Sequence, residues 1–144
     1  PDGDHVVPIG VAEVKRPGRD VTLVGVGWTV DLALQAAERL AAEGIEAEVV
    51  DPRSLAPLDV DTLAASVAKT GRAVLVDQAP RHASAAAIMA AELAERCWAE
   101  LKAPPRLVTA RDASVPYSRS VEEYVLPQIE AVVQAARQLV AVAT

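Results

Sequence analysis

Asp20-Val21-Thr22-Leu23-Val24-Gly25-Val26-Gly27-Trp28-Thr29-Val30 leads, through residues 31–50, into Asp51-Pro52-Arg53-Ser54-Leu55-Ala56-Pro57-Leu58-Asp59. Residues 21–26 are a near-continuous apolar run, the pattern of a strand covered on both faces. From Val30 the apolar residues recur as Ala33/Leu34, Ala37 and Leu40/Ala41, the period of a helix, with Thr29 as its expected N-cap, Asp31 in its first turn and Gly44 where a C′ glycine belongs. Residues 46–51 return as a second strand. After a turn stiffened by Pro52 and Pro57, Asp59 is expected to cap a helix whose Val60, Leu63, Ala64 and Val67 fall on one face.

Working outward, Lys69 and Gly71 close that helix and residues 72–77 read as a third strand. Ser84 is expected to open a helix carrying Ala86, Ala90, Leu93, Cys97 and Leu101 on one side, stopped by Pro104-Pro105. Residues 106–109 form a short strand, residues 111–120 an irregular loop, and Pro127 suits the first turn of a last helix bearing Ile129, Val132, Val133, Ala136 and Val140. On the amino side, residues 8–14 read as an apolar extended strand, broken by the turn Arg16-Pro17-Gly18-Arg19-Asp20. Strands alternating with helices at this spacing imply an α/β domain with a largely parallel sheet covered on both faces. Residues 1–20 are therefore an extended lead-in with an edge strand, and residues 21–144 the α/β domain. The start at Pro1 rather than Met reads as a piece of something longer.

Composition narrows the function. A 144-residue domain buries about 68–70% of its unfolded surface. With no Phe, and Trp28, Trp98, Tyr117 and Tyr124 as the only aromatics, that core must be built from small aliphatic side chains. A net charge of −6 argues against a phosphate-backbone partner, so nucleic acid is not expected, although an acidic surface can steer a basic protein. A single cysteine, Cys97, rules out an intrachain disulfide and is compatible with a reducing cytoplasm; on an apolar helix face it reads as a buried inert thiol. No apolar run approaches the roughly 18 residues of a membrane span, and no membrane partner is expected.

The chemistry-bearing residues are sparse. Gly25-Val26-Gly27-Trp28-Thr29-Val30 approaches a dinucleotide fingerprint, with Asp51 ending the next strand, but Val30 replaces the third glycine and Trp28 fills the turn that a pyrophosphate must approach. Gly27 therefore reads first as a tight strand-to-helix turn, with a nucleotide-binding module as the alternative. Asp51, Arg53, Pro57 and Asp59 bracket a loop at a strand's carboxyl end, where α/β sheets bind ligands, yet a salt link plus a helix cap accounts for them equally well. Arg81 and His82 lie in a loop after a strand and are placed to meet an anionic group or a partner chain. His5 and His82 alone, without Cys or carboxylate at ligand spacing, do not make a metal site. No nucleophile elbow, phosphate loop or catalytic triad pattern is present, so no catalytic residue is assigned.

A resemblance is carried by Pro8-Ile9-Gly10-Val11-Ala12-Glu13, Asp20-Val21-Thr22-Leu23-Val24, Ala47-Glu48-Val49-Val50-Asp51, Lys69-Thr70-Gly71-Arg72 and, most specifically, Arg53-Ser54-Leu55-Ala56-Pro57-Leu58-Asp59. Together they resemble the C-terminal, transketolase-like domain of the beta subunit of thiamine-diphosphate-dependent 2-oxoacid dehydrogenases, over essentially the whole chain. The resemblance implies a three-layer α/β/α domain with a mostly parallel five-stranded sheet and one antiparallel edge. It also implies an α2β2 heterotetramer whose thiamine diphosphate and Mg sit outside this chain, between the alpha subunit and the N-terminal domain of beta. The domain would then hold the alpha subunit and a second beta subunit together, with Arg81 and His82 at a subunit interface. It would also dock the small basic module of an acyltransferase, for which Asp112, Glu122, Glu123 and Glu130 are the candidates. The chain departs from the family at Gln78-Ala79-Pro80-Arg81-His82-Ala83-Ser84-Ala85-Ala86-Ala87-Ile88, where relatives carry a glycine-rich turn. Without those glycines the loop is expected to be more helical. The equivalent domain of a transketolase or deoxyxylulose-phosphate synthase, and a freestanding interaction domain, are the alternatives.

Overall fold

The computed structural model describes Gly3 and residues 6–142, so His5 lies outside the described residues. Eleven elements follow in the order β1 (Glu13–Arg16), β2 (Val21–Gly25), α1 (Thr29–Ala41), β3 (Ala47–Asp51), α2 (Val60–Thr70), β4 (Ala73–Pro80), a single 3-10 turn (Arg81–Ala83), α3 (Ala85–Arg96), β5 (Arg106–Ala110), α4 (Arg119–Val125) and α5 (Ile129–Val140). The five strands make one sheet in the order β1-β3-β2-β4-β5. β2 pairs in parallel with both β3 and β4, β4 with β5, and only the edge strand β1 runs antiparallel, against β3. This is the three-layer α/β/α arrangement with one antiparallel edge that the family resemblance implies.

The pleat sorts the apolar runs into two cores, because successive strand residues point to opposite faces. Val21 and Leu23, Ala47 and Val49, and Val74 and Val76 face Ala33, Ala37 and Leu40 of α1 and Val132, Val133 and Ala136 of α5. Val24, Val50, Ala73 and Leu75 face Leu63 and Val67 of α2 and Met89 and Leu93 of α3. Both layers are small and aliphatic, as a chain without Phe requires. On the α2 side the buried Thr22 hydroxyl lies 2.8 Å from both the Ser66 and Thr70 hydroxyls. The equally buried Glu48 carboxylate is held by Lys69 and by the Gly18 N–H. Among the described residues no buried side-chain polar atom lacks a partner.

Several boundaries differ from the sequence expectation. The edge strand lies at Glu13–Arg16 rather than over residues 8–14, since the Gly10 N–H donates to Ser54 Oγ and the Ala12 N–H to Asp59 Oδ2. Thr29 is the first residue of α1, with Trp28 in the cap position. The third helix ends at Arg96, and Leu101 packs against the core from the loop beyond it. The expected loop at 111–120 runs into a short helix, α4, and Gln128 takes the N-cap position of α5, so Pro127 precedes the helix instead of lying in its first turn. No helix among the described residues is long and apolar enough to cross a membrane.

Candidate functional site at the carboxyl edge of the sheet

β2 connects through α1 to β3 on one side of itself, and the chain then returns through α2 to β4 on its other side, so the topological switch point lies between the carboxyl ends of β2 and β4. Open α/β sheets place their ligands at that crevice. Here it is occupied by the chain itself. The Thr29 hydroxyl accepts from the Val26 N–H at 2.7 Å and lies 2.9 Å and 2.8 Å from the Val26 and Val76 carbonyls, and Trp28 Nε1 donates to Gln78 Oε1. Gly25 allows α1 to start this close, because a Cβ there would stand 2.6 Å from Val30 Cα. Gly27 turns the chain at φ +59°, as its site in a tight turn demands. The close helix–strand approach thus falls at Gly25, and the third glycine of a nucleotide fingerprint is not needed for it.

Beside this stitched crevice the β3–α2 loop ties three segments together. Asp51 Oδ1 accepts from the Arg53 backbone N–H at 2.8 Å, with Arg53 held at φ +58°. The Arg53 guanidinium does not reach Asp51 or Asp59, contrary to the salt link expected from sequence; it pairs with Glu13 on the edge strand, where Lys15 also binds. Ser54 Oγ donates to the carbonyl of Pro57, whose peptide bond with Ala56 is cis. Asp59 does cap α2: Oδ1 accepts from Thr62 N at 3.1 Å, and Oδ2 accepts from Thr62 Oγ1 at 2.7 Å and from Ala12 N at 2.9 Å. The Ala12 N–H, followed by the two Thr62 donors, holds this carboxyl below its ordinary value of 3.8. Arg53 and Asp59 therefore both fasten the lead-in to the sheet, one through Glu13 and one through Ala12.

On the β4 side, Arg81 and His82 are exposed in the 3-10 turn, and His82 Nε2 stands 3.6 Å from Asp112 Oδ1 in the loop after β5. Of the segment expected to be more helical, Gln78–Pro80 extend β4, Arg81–Ala83 form the 3-10 turn and α3 begins at Ala85, and a residue not singled out from the sequence anchors it. Asp77, only 4% exposed, accepts from Ser84 Oγ at 2.7 Å, Ala79 N at 3.1 Å and Ala86 N at 3.4 Å. A carboxylate closing an apolar run seven residues before the serine cap of the next helix is the available signal. An open cavity of about 720 Å³ lies between α3 and the β3–α2 loop, lined by Leu55, Leu58, His82, Ala85, Ile88 and Glu92 among others.

The four acidic docking candidates do not form one group. Glu122 and Glu123 lie on α4 and Asp112 near the start of the loop leading to it, all on the segment that Arg111 closes by donating through its backbone N–H to the Val125 carbonyl and by stacking its guanidinium 4.0 Å from the Tyr124 ring centre. Glu130 lies on α5, between Arg39 and Arg137, each at 3.6 Å. Cys97 is 2% exposed and burial raises its thiol above the ordinary value, the opposite of an activated nucleophile. Among the described residues, no group of three or more His, Cys, Asp or Glu is placed to hold a metal ion. What this edge offers chemically is binding surface: apolar side chains, charged rims and a stiff loop.

The family profile described as "Transketolase, C-terminal domain" matches residues 10–132. The chain is 42% identical over 139 residues to the acetoin:2,6-dichlorophenolindophenol oxidoreductase subunit beta of Bacillus subtilis, covering 96% of this chain and 41% of that protein. It is 43% identical over 137 residues to the pyruvate dehydrogenase E1 component subunit beta of Staphylococcus epidermidis, covering 95% of this chain and 42% of that protein. Among solved structures, one described as a split gene transketolase, inactive beta4 tetramer, superposes with a TM-score of 0.79 at 29% identity, over 98% of this chain and 45% of that one. The chain thus spans about two fifths of the length of the curated relatives it matches.

Proposed function

This chain belongs to the transketolase C-terminal domain family, and on that premise we propose that it is the assembly domain of the beta subunit of a thiamine-diphosphate-dependent 2-oxoacid dehydrogenase. The observation that carries this is the identity of 41–43% with beta subunits of pyruvate and acetoin oxidoreductases along almost the whole chain. In this reading the full enzyme decarboxylates a 2-oxoacid oxidatively and passes the acyl unit to a lipoyl group, in a reducing compartment such as the cytoplasm. The cofactor supplies the carbanion chemistry. The described residues do not fit it: they offer no cluster of metal-ligating side chains, and Trp28 occupies the turn a diphosphate would approach. This supports the reading in which thiamine diphosphate with Mg sits outside this chain.

What the chain's own residues do is hold other polypeptides. The rigid β3–α2 loop, the apolar cavity beside α3 and the exposed Arg81–His82 turn face the side where an alpha subunit and a second beta subunit of an α2β2 heterotetramer are proposed to pack. Asp112, Glu122 and Glu123 are proposed to receive the basic subunit-binding module of the acyltransferase; Glu130, already between two arginines, is the weakest of the four candidates. The equivalent domain of a transketolase is the second reading, favoured by the 0.79 TM-score to a split gene transketolase, which also forms an assembly of beta chains. Co-expression of the protein containing this chain with a thiamine-enzyme alpha subunit separates the two. A stable heterotetramer that decarboxylates pyruvate or another 2-oxoacid supports the first; ketol transfer between sugar phosphates supports the second. Calorimetry of the 144-residue chain with thiamine diphosphate and Mg is expected to give no binding heat, and tight binding would overturn the division of labour.

A further inference from the structure

We propose that the loop entering β5 carries a binding site for a nucleoside phosphate, the phosphate held by Arg81, Lys102 and Arg106 and the base laid against Trp98 and Pro104-Pro105. Two hollows share this loop. One, of about 540 Å³, is lined by those three cations together with Gln138 and Leu139 of α5, and no carboxylate lines it. The other, of about 390 Å³, is walled by Ala94, Trp98 and Leu101, again with no carboxylate. Lys102, Ala103, Pro104 and Pro105 line both, so the two hollows adjoin. Each lies within the range of about 300–1,000 Å³ of small-molecule sites.

The cations come from three separate segments: Arg81 from the 3-10 turn, Lys102 from the loop after α3 and Arg106 from the first position of β5. All three are exposed, and none of them enters an ion pair among the described residues. Of the other Lys and Arg only Arg19, Arg72 and Arg111 also stand outside ion pairs there. Arg72 donates to the carbonyls of Leu139, at 2.8 Å, and Val142, at 3.3 Å, in the wall of the same hollow. In a chain of net charge −6, this gathering of cations without a carboxylate raises the local potential and draws an anion. A phosphate dianion suits the arginines, whose planar forks bond two of its oxygens at once. The second hollow selects the rest of the ligand. Trp98 is 82% exposed, and an indole beside two proline rings offers the flat apolar faces on which a base stacks. A ring that is itself cationic, as in thiamine, is disfavoured beside three unpaired cations, so the expected lack of thiamine diphosphate binding stands.

Isothermal titration calorimetry of the full chain with AMP, free of Mg and at low ionic strength, tests this. AMP is expected to bind about tenfold tighter than either inorganic phosphate or adenosine, each of which fills one hollow only, and to weaken as salt is added. Lys102→Glu and Arg106→Glu are each expected to weaken AMP about tenfold. Arg19→Glu, the same change of charge at another exposed, unpaired arginine, should leave it unchanged. Trp98→Ala is expected to weaken AMP about tenfold and to leave inorganic phosphate unchanged. All four residues are exposed, so far-UV circular dichroism and melting temperature should not move. The site is overturned by the absence of saturable AMP heat, by AMP binding no tighter than inorganic phosphate, or by AMP binding indifferent to Trp98→Ala. A loss in Arg19→Glu equal to that in Arg106→Glu overturns it as well, since the attraction would then belong to the whole surface. Retention on anionic phospholipid vesicles without AMP binding would give the cations to a membrane surface instead, and likewise sinks the site.

Discussion

Asp59 joins two duties that are ordinarily separate, capping α2 through Thr62 and receiving the Ala12 N–H of the lead-in. Asp59→Ala is expected to lower stability by about 1–2 kcal/mol, the scale of a lost N-cap, read from urea unfolding at neutral pH. Because the folded state depresses this carboxyl below 3.8, its contribution is complete above that value and disappears as pH falls through the lower folded value. The gap between wild type and Asp59→Ala should therefore narrow below about pH 4. Asp59→Asn, which keeps a cap acceptor but no charge, should retain most of the neutral-pH stability and lose the acid-side slope. The cap was legible in sequence because it depends on neighbours three residues away. The pairing of Arg53 with Glu13 was not, since it joins positions 40 residues apart on a strand whose place was itself misread. Asp77 is hidden for a related reason: a carboxylate that closes an apolar run looks like a strand end until the helix cap folds back onto it.

The elements with their own periodic apolar pattern, β2 through α3, are each legible in the sequence, although Thr29 opens α1 instead of capping it, β4 runs on to Pro80 and α3 stops at Arg96. The misplaced edge strand is where side chains of another segment take the backbone's hydrogen bonds. Residues 8–14 carry an apolar strand pattern, but Gly10 turns at φ +78° against Pro57, and the donors of Gly10 and Ala12 are claimed by Ser54 and Asp59, so pairing begins only at Glu13. α4 buries only Val125, and so has no apolar stripe to announce it. The bond between elements most open to test is the hydroxyl cluster joining β2 to α2. Thr22→Val keeps the shape and removes the shared partner of Ser66 and Thr70, and is expected to cost about 1–3 kcal/mol in urea unfolding. A loss near zero would mean that the two α2 hydroxyls find other acceptors.

At the scale of the molecule, the parallel sheet, the two-sided aliphatic core and the carboxyl edge were readable from the alternation of elements, whereas which charges stand free was not. Reversing Asp112, Glu122 and Glu123 together to lysine is expected to abolish capture of a basic acyltransferase module by the assembled enzyme without changing the melting temperature. Glu130→Lys, which disturbs the Arg39 and Arg137 pairs, should touch stability more than capture. The missing phenylalanines have an optical consequence. Both tryptophans lie outside the core, Trp28 at 42% and Trp98 at 82% exposure, and the largest fully enclosed side chains are leucines and a methionine. Emission should consequently be red-shifted in the native state and move little on denaturation, leaving the indoles nearly blind to melting. The same indoles become natural beacons for arriving neighbours, since a blue shift on mixing can only report that something has come to rest beside them.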